Sequence, residues 1–66
     1  MDNKELGRRC KLYRRYKLKA TQNDVARDTG YSKNNISAFE TGRNNNANIL
    51  LWYIERGFVY RAVNNK

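Results

Sequence analysis

A chain of 66 residues allows one small domain spanning 1–66, with a thin core, because a chain of that length buries only ~60% of the surface it exposes when unfolded. At 39% apolar residues and a mean hydropathy of −1.02, it has no run near the ~20 apolar residues of a membrane span and no signal-peptide core at its start. One Cys and no His exclude an internal disulfide and effectively a metal site. With only six carboxylates besides, little remains for acid–base or nucleophilic catalysis, so no enzyme, no cofactor and no small-molecule ligand are expected.

Fourteen Lys and Arg against six Asp and Glu give a net charge of +8, which points to a polyanion, nucleic acid first and an anionic membrane surface second. The charge is uneven. Residues 1–20 carry a net +6, residues 21–48 zero and residues 49–66 +2. A solvated face that keeps the protein soluble accounts for the excess but not for its asymmetry, which favours a binding surface.

The periodicity predicts a first helix over about residues 4–17, with Leu6, Cys10, Tyr13 and the stem of Lys17 on one stripe. Cys10 falls on the apolar side as a small core residue. A second helix begins at Thr21, whose spacing from Asp24 resembles a capping box. Its apolar face is Val25, Ala26 and Thr29, and Gly30 ends it. Ser32 caps a third helix with Ile36 and Phe39 inward, closed by Gly42. After a polar loop at Asn44, Asn45 and Asn46 a fourth helix runs over about 47–56, with Leu50, Leu51 and Ile54, then Phe58, toward the core. The β-branched and aromatic content of residues 58–63 suits a short strand, with a helical continuation a close second, and residues 63–66 read as a frayed end. The fold class is all-α, with four to five short helices and a C-terminal strand or extra helix available for dimerisation.

The second and third helices are joined only by Gly30 and Tyr31, which forces a tight corner. Two short helices so joined form a helix-turn-helix over 21–42, whose second member can enter a DNA major groove. Ala26 is small at the crossing, Gly30 supplies the turn, and Val25, Ile36 and Phe39 fill the interior. The segments Thr21-Gln22-Asn23-Asp24-Val25-Ala26, Gly30-Tyr31-Ser32-Lys33 and Ile36-Ser37-Ala38-Phe39-Glu40-Thr41-Gly42-Arg43 resemble the Cro/repressor (XRE-type) helix-turn-helix family of phage and bacterial transcriptional regulators. Leu6-Gly7-x-Arg9 fits that family's first helix, and Leu50-Leu51 with Gly57-Phe58 its fourth. The chain departs from the pattern by about one extra residue between Tyr16 and Ala20, by a shorter loop after Arg43 without Pro, and by the lack of a full fifth helix.

The resemblance implies a role for each matched residue. Lys33, Asn34 and Asn35 occupy the first turn of the recognition helix, where side chains reach base edges. There Asn can bond adenine and Lys can donate to guanine. Gln22, Ser37, Thr41, Arg43 and Asn44 stand where relatives meet the DNA backbone, which sets register without reading sequence. Glu40 is structural and pairs with a first-helix arginine, Arg14 or alternatively Arg15.

Trp52 and Tyr53 lie off the stripe of Leu50, Leu51 and Ile54, so the fourth helix is apolar on two faces. Either one of these rings fills the core, or Trp52, Phe58 and Tyr60, with Val63, form a dimer seam. The expected function is a Cro-like repressor that binds a pseudo-palindromic operator in double-stranded DNA as a homodimer, in the cytoplasm of a bacterial or phage-infected cell and at its nucleoid. The rival is an interaction module on the same scaffold, an antitoxin or a phage inhibitor of a host protein. RNA binding is disfavoured by groove geometry.

Overall fold

A computed structural model of the chain describes residues 2–60. The architecture is all-α: α1 (Asn3–Leu12) runs on as a π-helical segment (Tyr13–Leu18), followed by α2 (Gln22–Thr29), α3 (Lys33–Glu40) and α4 (Ala47–Glu55). Each helix start is made locally. Asp2 accepts from the Lys4 amide at 2.9 Å, and Ser32 from the Asn35 amide at 3.2 Å. The Thr21–Asp24 capping box forms in both directions, at 3.1 and 2.9 Å. Asn46 accepts from the Asn48 and Ile49 amides, so the last residue of the Asn run is the cap of α4. No helix among the described residues is long and apolar enough to cross a membrane.

The first helix differs from its expected course at residues 13–18. A π-turn accommodates one more residue than an α-turn, and the segment Tyr13–Leu18 takes that form. The stripe of Leu6 and Cys10 continues through buried Arg14 and half-buried Leu18. Lys17, expected on the stripe, is exposed, and Tyr13 is half-buried. Its hydroxyl donates to the Arg56 carbonyl at 2.7 Å, tying the first helix to the end of α4.

The core consists of Leu6, Cys10, Val25, Ile36, Phe39, Ile49, Trp52, Tyr53 and Phe58. α1 meets the end of α3 at Gly7, where a Cβ would lie 2.3 Å from the Phe39 carbonyl oxygen. Only a residue without a side chain allows that crossing.

α4 is rotated from the expected orientation. Ile49, Trp52 and Tyr53 are buried and Leu50 is half-buried, while Leu51 and Ile54 are 48% and 50% exposed. The alternative stripe wins because its rings bury more area and both of their polar atoms find partners. Trp52 Nε1 donates to Asp28 at 3.0 Å, and the Tyr53 hydroxyl donates to Glu40 at 2.6 Å. Trp52 and Phe58, two of the three rings assigned to a dimer seam, are therefore core residues of the monomer, 5% and 6% exposed. Tyr60 is half-buried, its ring 5.0 Å from the Arg9 guanidinium. Phe58–Tyr60 forms neither strand nor helix; Val63 and the expected fraying of 63–66 lie outside the described residues.

Candidate nucleic-acid interface

The corner between α2 and α3 is built by Gly30, which takes φ 81° with no atom within 4 Å of a would-be Cβ. Its requirement is conformational, not steric. The turn delivers the first turn of α3 to the surface, with Lys33, Asn34 and Asn35 all exposed. The side chains of Lys33 and Asn34 make no hydrogen bond among the described residues, so their donors and acceptors face solvent.

The backbone-contact candidates are less free. The Thr41 hydroxyl donates to the Ser37 carbonyl at 3.0 Å and accepts from Arg43 Nε at 3.2 Å, which places Arg43 beside the end of α3. Ser37 is half-buried. Asn44 is also half-buried, accepting from the Asn46 amide at 3.2 Å and reaching the Asn35 carbonyl at 3.5 Å. The structure thus joins Thr41 with Arg43, and Asn44 with the loop it shapes.

Gln22 is tied inward. Its Nε2 donates to Glu40 Oε1 at 3.0 Å, leaving its second N–H for an outside acceptor. Glu40 is the centre of this buried cluster. Arg14 grips it with Nε (2.8 Å) and Nη2 (3.0 Å), and the Tyr53 hydroxyl adds a further bond. Arg15 is exposed and takes no part. Burial opposes the charge of Glu40, but Arg14, Tyr53 and Gln22 outweigh it and hold the carboxyl below its ordinary range. Burial, aided by the nearby Glu40 charge, pushes the Cys10 thiol up to about 12. Cys10 is therefore neutral and inert at physiological pH.

The remaining carboxylates explain which cations are left over. Glu5 takes Arg8 and Arg9, Asp24 takes Arg27, Asp28 takes Arg27 and Arg56, and Glu55 takes Arg56. Arg56 also stacks on the Trp52 ring at 4.1 Å. Among the described residues Lys4, Lys11, Arg15, Lys17, Lys19, Lys33 and Arg43 form no ion pair with a carboxylate. Arg15, Lys19 and Lys33 line one shallow groove with Thr21, Gln22 and Asn23 at the start of α2. Neither Arg15, weighed only as a partner for Glu40, nor Lys19 is a DNA-contact candidate by sequence, although the +6 of residues 1–20 is the signal that contains them.

An exposed polar first turn on α3, a three-residue corner of Gly30, Tyr31 and Ser32 and flanking cations without carboxylate partners are the parts a DNA-reading helix-turn-helix needs. A family model described as a helix-turn-helix domain matches residues 5–47. The chain belongs to this helix-turn-helix family, of the Cro/XRE kind. The match ends at the first residue of α4, so the orientation of α4 and the course of Phe58–Tyr60 lie beyond it. No characterised protein and no solved structure matches the chain. Membership in a helix-turn-helix family supports a DNA-binding regulator. Among the described residues no group of His, Cys, Asp and Glu could hold a metal ion.

Proposed function

We propose that this helix-turn-helix protein is a Cro-like repressor that reads a pseudo-palindromic operator through the first turn of α3. The observation that carries the reading is the trio Lys33, Asn34 and Asn35, exposed on a helix whose opposite face is fully engaged in the core through Ile36, Phe39 and Glu40. Lys33 and the two amides take base edges in the major groove. Gln22, Ser37, Thr41, Arg43 and Asn44 take backbone phosphates, with Gln22 bracing α2 against Glu40 as it does so. The half-site spacing of about 34 Å, one turn of DNA, is the general geometry of this docking mode in Cro and related repressors.

The proposed dimer seam is made by Leu51, Ile54 and Val59 instead of Trp52 and Phe58. These three apolar residues are 48%, 50% and 67% exposed, and Ile54 and Val59 share one groove with Leu50 and Tyr60. Repression follows from occupancy of the operator against polymerase.

Selection of bound sequences from a random duplex pool tests the reading. Enrichment of an inverted repeat with half-sites one turn apart is the expected result, and recovery of no common sequence overturns it. If a dimer neutralises ~8 phosphates, log K falls against log salt with a slope of roughly −7. A slope shallower than about −2 removes the electrostatic part of the proposal.

A further inference from the structure

The connection between the π segment and α2 holds a conformation that its residue does not favour. Lys19 has φ 55° and ψ 38°, and it is the non-glycine residue of the described chain with positive φ. Gly30, Gly42 and Gly57 occupy the other positive-φ turns. A side chain in the left-handed region crowds the following carbonyl, which is why glycine is usual where a helix ends this way. Arg14 imposes the turn. Its carbonyl accepts from the Lys19 and Ala20 amides, the latter at 3.0 Å, and its Nη1 donates to the Ala20 carbonyl at 2.9 Å. The backbone of Lys19 is therefore anchored to a buried ion pair while its side chain is exposed.

That side chain stands in the groove with Arg15, Lys33 and the start of α2. The three cations have no carboxylate partner among the described residues, and the positive end of the α2 dipole adds to their field. Lys33 also belongs to the exposed first turn of α3, so the groove and the base-reading edge adjoin. Backbone strain retained where glycine is the easier choice is a reason to look for a use of the side chain.

We propose that Lys19, with Arg15, is a DNA-backbone anchor: it binds phosphodiester groups of the duplex whose bases α3 reads, extending the footprint from the recognition helix to the end of the first helix. The inference rests on the DNA-binding reading above and adds to it two residues outside the recognition segment. The occupant is duplex phosphate because the groove is cationic, open and continuous with Lys33.

The test uses Lys19→Gly and Lys19→Asn, both of which remove the charge and tolerate the left-handed turn, with Lys19→Arg as the charge-retaining control. Binding to a mixed-sequence duplex of two helical turns is measured against salt. Gly and Asn variants are expected to melt at or above the wild-type temperature. For each phosphate that Lys19 no longer neutralises, they bind roughly eightfold more weakly at 0.1 M salt, with a salt slope shallower by about 0.9. The Arg variant keeps wild-type affinity and slope. Wild-type affinity and slope in both uncharged variants overturn the anchor while leaving the DNA reading intact. A melting temperature lowered in both also overturns it, because the side chain then serves the fold. Failure of the wild-type chain to bind any duplex overturns the DNA reading and the anchor together.

Discussion

Arg14 and Arg15 are adjacent on the π segment, yet one guanidinium is buried against Glu40 while the other stands exposed beside the start of α2. Arg14 uses its donors inside the molecule, on Glu40 and on the Ala20 carbonyl. Arg15 has no carboxylate partner among the described residues, and its guanidinium lies over the neighbouring Tyr16 ring at 5.6 Å. Two neighbouring cations thus do different physical work. The buried one shapes the corner that presents the exposed one, so composition alone does not separate a structural charge from a ligand-binding charge.

Replacing each arginine should expose that division most clearly. Arg14→Ala leaves Glu40 buried without its cation, at an expected cost of about 3–5 kcal/mol. For a domain this small that is a large share of the total stability, and thermal denaturation should show a drop of well over ten degrees or an unfolded chain. Arg15→Ala should change stability by no more than about 0.5 kcal/mol and weaken duplex binding instead. Equal melting temperatures for the two variants would break the comparison.

Gly7→Ala comes next. Its methyl group meets the Phe39 and Glu40 carbonyls, so the first helix must move off α3, at about 1–3 kcal/mol. Denaturant unfolding reads the loss. Gly30→Ala, strained by its φ but with open space around it, should cost only about 1 kcal/mol, which separates packing from conformation.

On the DNA side, Lys33→Ala and Asn34→Ala should each relax base preference at one or two positions per half-site by about 1–3 kcal/mol. Arg43→Ala should weaken all sequences about equally, because a phosphate contact carries no base information. Affinities for the selected site and a panel of single-base changes check this. A preserved ranking of sites in the Lys33 and Asn34 variants would assign base reading to another element.

The smallest effect expected is in pH. Glu40 has a native pKa lowered below its ordinary 4.5, so its stabilisation is present in full above that value and is lost as pH falls through the native one. Melting temperatures should be flat near neutrality, where no His titrates, and fall below about pH 4.5. Glu40→Gln should flatten that acid limb.

The sequence by itself determined the features made within a few residues. The caps at Thr21 and Ser32 and the positive-φ turns at Gly30 and Gly42 follow from local hydrogen bonds and backbone sterics, which depend on spacing alone. The tertiary structure decided what needed a distant partner. In α4, Leu50, Leu51 and Ile54 form as good a helical stripe as Ile49, Trp52 and Tyr53. The second faces inward because Asp28 on α2 and Glu40 on α3 satisfy its two polar rings. The π segment likewise arises where Arg14 must reach Glu40 and the Ala20 carbonyl together. Which cations remain for a ligand was decided last, since the positions of the six carboxylates in space, and not their number, determine which arginines and lysines they occupy.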